Sequence, residues 1–444
     1  MEPKVERSGM NMMQTMPDWL RTSTIYCVYV RDYGPEGTLR EVEADLDRIQ
    51  ALGVDILWLL PIYPVGKVNR KGSMGSPYSI SDYRAVNPEY GTIEDFKSLC
   101  DALHARGMRC MLDIVYNHTA WDSKLFENHP EWFYHTTDGH LGNRAGAWTD
   151  IIDLDYDHAE LWEYQIETLC HWARLGADGF RCDVASTVPV EFWRAARTAV
   201  EQVKPGVVWL AESVHGSFVR DLRSKGFYCA SDGELYNAFD ITYDYDVFPH
   251  FEAVFEGTGS IARYLEALIA QESTYPADYL KLHFLENHDQ RRAASYLTDT
   301  QVRRMWTAFM WCIKGVGLIY NGQEVLAKHT PSLFEREPID WSSSPEALEY
   351  CELLHLLVGL KKLPVIRKGR YSLRAVGPDC ATALVHYELG SEKLHGIFNL
   401  SMEQCEVQVT VPDGMYPNLL GGEVRVEKGV ISCGIEPIII LTTD

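Results

Sequence analysis

Charged residues end an apolar stretch near the middle of the chain, where they could perform chemistry. Arg181 and Asp183 lie two residues apart in GFRCDVAST, after an apolar run that begins at LGADGF. Charged side chains are rarely buried unless they are paired or functional. The two residues could form a structural ion pair that closes a strand, or Asp183 could be a reactive carboxylate that Arg181 orients. This stretch alone does not separate the two interpretations.

The same arrangement recurs at other points of the chain. Asp113 lies near the end of MRCMLDIVY with His118 just beyond it, Glu212 ends GVVWLAE, and His288 and Asp289 follow LKLHFLE. One acid at a strand end could arise by chance. Four acids brought together would repel one another and oppose folding, so packing alone is a poor explanation. The set predicts a functional site.

Several carboxylates together with arginine, histidine and aromatic residues suit glycoside hydrolysis. One acid protonates the leaving oxygen, and a second attacks or stabilises the positively charged sugar carbon. A metal-dependent hydrolase is the alternative, with Asp113, His118, Asp183 and His288 as candidate ligands. The Arg181 cation beside Asp183 would oppose a second cation there. The sequence has no cysteine pair at zinc spacing and no glycine-rich phosphate loop after its first predicted strand.

Alternating segments would bring these side chains to one rim. Eight apolar runs predict strands, at residues 24–30, 54–60, 108–116, 177–183, 206–212, 234–240, 280–286 and 316–322. Amphipathic segments between them predict helices, including one over 38–53. This α/β alternation predicts a (β/α)8 TIM barrel rather than a doubly wound sheet. The C-terminal ends of barrel strands share one face, where active sites form.

The remaining segments predict three additions to the barrel. Residues 1–21 are expected to be a loose N-terminal arm. The barrel would comprise 22–116 and 158–365, interrupted by a small inserted domain at 117–157 that is too long for a plain loop. Short strand-like runs without intervening helices predict a C-terminal antiparallel β-sandwich at 366–444.

Composition narrows the range of partners and compartments. The chain has 41 Lys and Arg against 63 Asp and Glu, for a net charge of −22, which repels nucleic acid and anionic membranes but not a neutral sugar. Its 11 scattered cysteines are expected to be reduced. We find no signal-like or membrane-spanning apolar run and expect a cytoplasmic protein. The sequence does not indicate an oligomeric state.

Four short motifs carry a family resemblance. DIVYNH (113–118), GFRCD (179–183), AES (211–213) and ENHD (286–289) resemble, in order, the four sequence regions of the α-amylase family, glycoside hydrolase family 13. GVDILWLLPIYP (53–64), SPYSISDYRAVNPEYGT (76–92) and GLIYNGQE (317–324) resemble it further. The resemblance runs from about residue 22 to 370.

The resemblance implies a role for each site residue. Asp183 would be the nucleophile, Glu212 the general acid and then base, and Asp289 a third acid that grips sugar hydroxyls. His118 and His288 would bind hydroxyls of the central sugar, Tyr78 would stack on it, Arg181 would align Asp183, and Asp113 would support the rim by bonding to Arg181 or neighbouring groups.

Simple physical arguments agree with these roles. We expect Arg181 to lower the pKa of Asp183, and burial with neighbouring carboxylates to raise the pKa of Glu212. Retaining glycosidases hold their two carboxyls about 5–5.5 Å apart. Adjacent strands, about 4.8 Å apart, suit that separation.

The sequence departs from the family where many members bind calcium. The Lys-His pair that often follows the nucleophile is replaced by Ser186 and Thr187. Asn117 is the one obvious candidate ligand for Ca²⁺. We therefore expect no required cofactor, with calcium at Asn117 as the alternative.

Linkage and chain-length preference stay open at this stage. Val184 after the nucleophile is similar to related glucosidases that act on α-1,6 linkages. Residues 75–77 lack the acid that caps a one-sugar pocket in exo-acting relatives, which favours an open cleft and internal cleavage.

The leading expectation is a retaining α-glucan hydrolase that cleaves α-1,4 linkages of starch, glycogen or malto-oligosaccharides. An α-glucan transglycosylase and an α-1,6-acting glucosidase of the same fold are the alternatives. A non-catalytic binding subunit is disfavoured, because such proteins lose one or more of the three acids and this chain keeps them all.

Overall fold

Eight parallel strands close into a barrel. The computed structural model describes residues 16–443. The first ten strands are β1 (Thr24–Val28), β2 (Ile56–Leu59), β3 (Arg109–Ile114), β4 (His118–Ala120), β5 (Ile151–Asp153), β6 (Gly179–Cys182), β7 (Val208–Ala211), β8 (Ile241–Tyr243), β9 (Lys281–His283) and β10 (Val316–Tyr320). Their circular order is β1-β10-β9-β8-β7-β6-β3-β2, and β4 pairs with β5 outside the barrel. The predicted (β/α)8 TIM barrel is confirmed.

Helices cover the outer face of the barrel strands and side chains fill the barrel interior, so both faces are buried, which explains the continuous apolar runs in the sequence. They are α1 (Val30–Tyr33), α2 (Leu39–Ala44), α3 (Leu46–Ala51), α4 (Ile93–Ala105), α5 (Lys124–Asn128), α6 (Ala159–Leu175), α7 (Val190–Val203), α8 (Gly216–Ser224), α9 (Asp232–Leu235), α10 (Phe248–Phe255), α11 (Ile261–Thr274), α12 (Ala293–Tyr296), α13 (Thr300–Cys312), α14 (Pro345–Lys361) and α15 (Pro364–Lys368). Short 3₁₀ turns lie between some of them.

The helix predicted over 38–53 is confirmed apart from one interruption, and the strand predicted over 234–240 is wrong. The helix expected over 38–53 divides into α2 and α3 at Asp45, whose carboxylate accepts a hydrogen bond from the Tyr33 hydroxyl at 2.6 Å. The strand expected over 234–240 is largely α9 and the turn after it. The carboxylate of Glu234 accepts hydrogen bonds from the backbone N–H and hydroxyl of Ser231, which fixes the start of α9. The sixth barrel strand is β8.

The inserted segment after β3 has its own small core. Strands β4 and β5 pair in antiparallel fashion, with His118 opposite Asp153. Trp132 and Phe133 are buried; the Trp132 ring lies 6.2 Å from the Tyr164 ring of α6, and the Phe133 ring lies 5.1 Å from the Phe126 ring of the insertion. The limits predicted for the domains stay predictions, but the elements of this insertion lie within 117–157.

The N-terminal segment is only partly described. Residues 1–15, most of the predicted arm, lie outside the described residues. The prediction of a loose arm is wrong for the rest, because residues 18–22 form a 3₁₀ turn with Leu20 fully buried. The Arg109 guanidinium also lies 3.7 Å from the centroid of the Trp19 ring.

The C-terminal region is built from antiparallel strands, as predicted. They are β11 (Arg370–Val376), β12 (Thr382–Leu389), β13 (Glu392–Asn399), β14 (Cys405–Gln408), β15 (Gly414–Pro417), β16 (Glu423–Val426), β17 (Val430–Cys433) and β18 (Ile438–Thr443). A sheet of β11-β12-β13-β18 packs against the pairs β14-β17 and β15-β16 through a shared apolar core. The Tyr387 hydroxyl donates to the Cys312 carbonyl at 3.1 Å and ties this region to the barrel.

Two further features concern the expected compartment. Between residues 16 and 443, none of the helices combines the length and the apolar character needed to cross a bilayer. All eleven cysteines fall within this range and carry free thiols.

Candidate active site

The C-terminal ends of neighbouring barrel strands hold the predicted acids. Asp113 on β3 pairs in register with Arg181 on β6, Asp183 directly follows β6, and Glu212 directly follows β7. A cavity of about 390 Å³ opens at this rim. Its lining includes six predicted site residues: Tyr78, His118, Asp183, Glu212, His288 and Asp289. The structure therefore brings the separated sequence motifs to one site.

Arg181 is the centre of the cluster. Its fully buried guanidinium lies 2.9 Å from Asp113 Oδ1, 2.8 Å from Asp183 Oδ1 and 3.0 Å from Glu212 Oε2. Its Nε donates to the Tyr243 hydroxyl at 3.2 Å. Because one positive charge faces three buried carboxyls, at least one of them is favoured in the protonated form. Arg181 is thus both a structural ion-pair partner and the group that holds two candidate catalytic acids together.

Burial dominates the proton affinity of these acids. It raises the pKa of Asp183 to about 7 and the pKa of Glu212 to about 8, with Arg181 opposing both shifts. The expectation of a lowered pKa for Asp183 is wrong, because the loss of hydration outweighs the guanidinium. The expected raised pKa of Glu212 is confirmed. Arg181 Nη1 donates a hydrogen bond to Asp183 Oδ1 at 2.8 Å, whereas Nη2 faces Glu212 Oε2 at 3.0 Å without a hydrogen bond, so the guanidinium favours an ionised Asp183 beside a protonated Glu212.

Backbone strain helps to position Glu212. Val184 has φ 43° and ψ 40°, in the left-handed region. A β-branched residue is rare there, and such strain costs of order 1–3 kcal/mol. In this conformation the Val184 N–H donates to Glu212 Oε2 at 2.7 Å. The strained residue therefore orients the carboxyl of the candidate acid.

Tyr78, His288 and Asp289 form the opposite wall of the site. The Tyr78 hydroxyl lies 2.7 Å from His288 Nε2 and donates to Asp113 Oδ2 at 3.2 Å, and the Tyr78 and His288 rings stack. Burial lowers the pKa of His288 to about 4, so its imidazole is neutral at ordinary pH. Asp289 lies 3.1 Å from His288 Nε2, and its side chain is 38% exposed. Its carboxylate is therefore the most accessible of the acids.

The residues around Asn117 do not fit a calcium ion. Asn117 Oδ1 accepts a hydrogen bond from the Thr187 hydroxyl at 2.7 Å, and its Nδ2 donates to Asp153 Oδ1 at 3.2 Å. Asp153 Oδ2 already accepts the Arg144 N–H at 2.7 Å and faces the Arg144 guanidinium at 3.4 Å. Across residues 16–443, no three His, Cys, Asp or Glu side chains are grouped to hold a metal. His118, next to Asn117, faces the cavity instead.

Sequence comparison matches most of the chain to described domains. The family described as "Alpha amylase, catalytic domain" matches residues 10–151 and 146–346. The family described as "Bacterial Alpha amylase C-terminal domain" matches residues 374–440. The chain belongs to the alpha-amylase family. This membership agrees with the barrel, the C-terminal antiparallel sheets and the position of the acids.

Solved structures and curated relatives include several alpha-amylase family members. An alpha-amylase from Lactobacillus plantarum is 45% identical, with TM-score 0.91, covering 96% of this chain and 100% of that one. The maltogenic alpha-amylase AmyB from Thermotoga neapolitana is 31% identical, with TM-score 0.84, covering 96% and 99%. Alpha-amylase 2 of Dictyoglomus thermophilum is 24% identical over 80% of this chain. This chain spans 66% of that relative and smaller shares of several others, such as 30% of a Myxococcus xanthus maltosyltransferase.

Some residues of this alpha-amylase family site were missed in the sequence. Trp58 donates to Asp113 Oδ2 at 3.3 Å, and Tyr243 accepts from Arg181, so both enclose the central guanidinium. Tyr243 could have been found by placing the sixth strand at ITYDYD, where an apolar run ends in charged residues. Other missed lining residues come from separate segments: Lys71 from the loop after β2, Asp150 from the inserted segment, Phe334 from the loop after β10, and Val214, His215 and Phe218 from the end of β7 to the start of α8.

Proposed function

We propose that this protein is a retaining α-glucan hydrolase that cleaves α-1,4 linkages of starch, glycogen or malto-oligosaccharides. The supporting observation is the shared guanidinium: Asp183 and Glu212 each lie within 3.0 Å of Arg181. Carboxyls held on one guanidinium are close, which suits a retaining pair about 5–5.5 Å apart better than an inverting pair about 6.5–9.5 Å apart.

The proposed reaction has two balanced steps. In the first, an Asp183 carboxylate oxygen forms a bond to C1 of the sugar as the C1–O glycosidic bond breaks, and Glu212 gives its proton to the leaving oxygen. In the second, Glu212 takes a proton from water, the water oxygen bonds to C1, and the ester bond to Asp183 breaks. The sugar is released with its original α configuration, and both carboxyls return to their starting states.

The other wall of the site would hold the sugar. Neutral His288 and His118 can donate to or accept from sugar hydroxyls without placing charge near the developing cation. The exposed carboxylate of Asp289 can accept hydrogen bonds from two adjacent hydroxyls. Tyr78 lines the cavity and presents an aromatic face to the sugar ring.

Two finer proposals follow from composition and relatives. We propose a cytoplasmic location, supported by eleven free thiols, which persist in reducing compartments. A relative from Bacillus subtilis that is 27% identical over 73% of this chain is named intracellular maltogenic amylase.

We also propose that no calcium is required, because Thr187 and Arg144 satisfy the groups around Asn117.

Transfer to a second sugar is a second candidate activity. Val184, Val214 and Phe218 give the Glu212 end of the cavity an apolar lining, which favours a sugar face over bulk water at the intermediate. A relative from Myxococcus xanthus, 32% identical over 41% of this chain, is named a maltosyltransferase. Products longer than the starting oligosaccharide would favour transfer.

Product analysis tests the proposal directly. The protein is incubated with maltoheptaose, soluble starch, pullulan, isomaltose and maltose, and the anomeric configuration of the first product is followed by NMR. We expect cleavage of maltoheptaose and starch with initial α product. Cleavage confined to isomaltose, or an initial β product, would overturn the linkage or the retaining assignment respectively.

A further inference from the structure

The two ends of the cavity face different parts of the substrate. The circular strand order places β1 diametrically opposite β7. The loops that follow β2 and β10, on either side of β1, therefore lie across the barrel from Glu212 at the end of β7. In an α-1,4-linked glucose, O4 lies across the ring from C1. With Glu212 beside the leaving oxygen at C1, the loops beside β1 face the O4 side, toward the non-reducing end of the glucan.

The Lys71 side chain contacts residues of two other segments that line the cavity. Lys71, in the loop after β2, places Nζ 2.7 Å from Asp150 Oδ1 of the inserted domain. The same Nζ lies 6.0 Å from the centroid of the Phe334 ring, in the loop after β10. All three residues line the cavity. Lys71 thus connects three separate segments at the O4 end.

Buried contacts hold the loops after β2 and β10 together at the O4 end of the cavity. Nη1 of Arg31, which is 1% exposed, donates to the Gly75 carbonyl at 2.8 Å and to the Leu333 carbonyl at 3.0 Å. Gly72 has φ 63°, and a Cβ there would come within 2.6 Å of the Phe334 Cβ. The loops after β2 and β10 therefore approach so closely that a chain could pass between them only if they separated.

We propose that the Lys71–Asp150 ion pair, with Phe334, closes the non-reducing side of the cleft and makes the enzyme remove short units from chain ends. This inference rests on the proposed glucan hydrolysis. The cavity, at about 390 Å³, lies near the small end of the roughly 300–1,000 Å³ range of ligand sites. Because the whole cavity is small, we expect its closed side to hold about one or two glucose units. The opposite conclusion, internal cleavage, was expected from residues 75–77.

The charged pair also offers specific recognition of a chain end. Only the terminal glucose carries a free hydroxyl at O4, and an internal glucose carries a bulky sugar there. The Lys71 ammonium can donate to that hydroxyl, and the Asp150 carboxylate can accept from it. An internal glucan segment would have to break the ion pair and separate the loops, so binding of an end is favoured.

Maltoheptaose carrying a fluorescent tag at its reducing end tests the proposal. The first labelled product shows how many sugars were removed from the other end. For the wild type we expect labelled maltopentaose or maltohexaose. Lys71→Ala should shift the first products to labelled maltotriose and maltotetraose and change the long-to-short ratio by about tenfold. Melting temperatures establish that all variants are folded. We expect little change for Lys71→Ala, because Lys71 is a loop residue whose side chain is 36% exposed.

Two further variants control for charge and for the pair itself. Lys67→Ala removes a lysine from the same loop; Lys67 is exposed and outside the cavity lining, so the wild-type product pattern should persist. Lys71→Asp combined with Asp150→Lys should restore the pattern that Lys71→Asp alone loses. Wild-type cleavage at internal positions, or an unchanged pattern in Lys71→Ala, would overturn this proposal alone. Failure of the wild type to cleave any α-glucan would overturn the proposed function and this inference together.

Discussion

The strand-end cluster and the loops at the O4 end of the cavity are built differently. Around Arg181 the charged groups are almost fully buried, lie at the ends of neighbouring strands and are held by ion pairs of 2.8–3.0 Å. At the O4 end, the Lys71 side chain is 36% exposed and depends on contacts between separate loops. The barrel thus supplies a rigid frame for bond cleavage, while the loops can vary without altering that frame. We infer that chemistry and product length are controlled by separate parts of the molecule.

The largest expected effect comes from removing a candidate catalytic acid. Asp183→Asn or Glu212→Gln should lower kcat by about 10⁴-fold or more, because each removes a group that acts in bond cleavage. Steady-state kinetics on maltoheptaose measures the loss. Asp178→Asn is a matched control. Asp178 lies just before the N-terminal end of β6, away from the cavity, and its carboxylate accepts a hydrogen bond from the Cys110 N–H at 2.8 Å. That variant should lose stability but keep its activity. Equal activity losses in all three variants would mean that damage to the fold explains them.

The strand-end cluster was predictable because its signal is local. An acid after an apolar run is visible in the sequence, and barrel periodicity says that such ends meet. The Lys71–Asp150 contact gives no such signal, because it joins two distant loops. The left-handed Val184 was also hidden, because β-branched residues disfavour positive φ. The pKa of Asp183 depends on whether burial or Arg181 dominates, and spacing along the chain cannot decide this.

Removing Arg181 from the strand-end cluster should affect both the stability of the protein and the pH dependence of its activity. Arg181→Met leaves buried carboxyls without their cation and should cost roughly 3–5 kcal/mol in the free energy of unfolding. Chemical denaturation measures that loss. Since Arg181 lowers the pKa of both Asp183 and Glu212, any remaining activity should shift to higher pH. A stable variant with an unshifted profile would contradict the central position of Arg181.

The pH profile of kcat/KM sharpens the assignment of the two acids. Activity should fall below about pH 7 as Asp183 takes up a proton, and above about pH 8 as Glu212 loses one. The two apparent values belong to the coupled pair rather than to each residue. Glu212→Gln should abolish the alkaline limb for a substrate whose leaving group needs no proton. A profile with no fall in activity on the acid side of pH 7 or on the alkaline side of pH 8 would contradict the assignment.

The smallest expected effect concerns calcium. Chelation with EDTA should leave the melting temperature and activity unchanged, because Thr187 and Arg144 occupy the groups around Asn117. Thr187→Val should cost about 1 kcal/mol in stability by removing the hydrogen bond to Asn117. Differential scanning calorimetry checks both statements on stability, and an activity assay with and without EDTA checks the remaining one. A drop in melting temperature on chelation that added Ca²⁺ reverses would show that a metal is bound after all.

Trapping the covalent intermediate tests the central claim most directly. A fluorinated α-glucosyl fluoride reacts with a retaining enzyme but slows the second step, so the sugar stays attached to the nucleophile. Mass spectrometry of the digested protein should find the added sugar on the peptide that contains Asp183, with no such adduct in Asp183→Asn. A label on another carboxyl, or turnover of an α-glucan by a folded Asp183→Asn protein, would contradict the account.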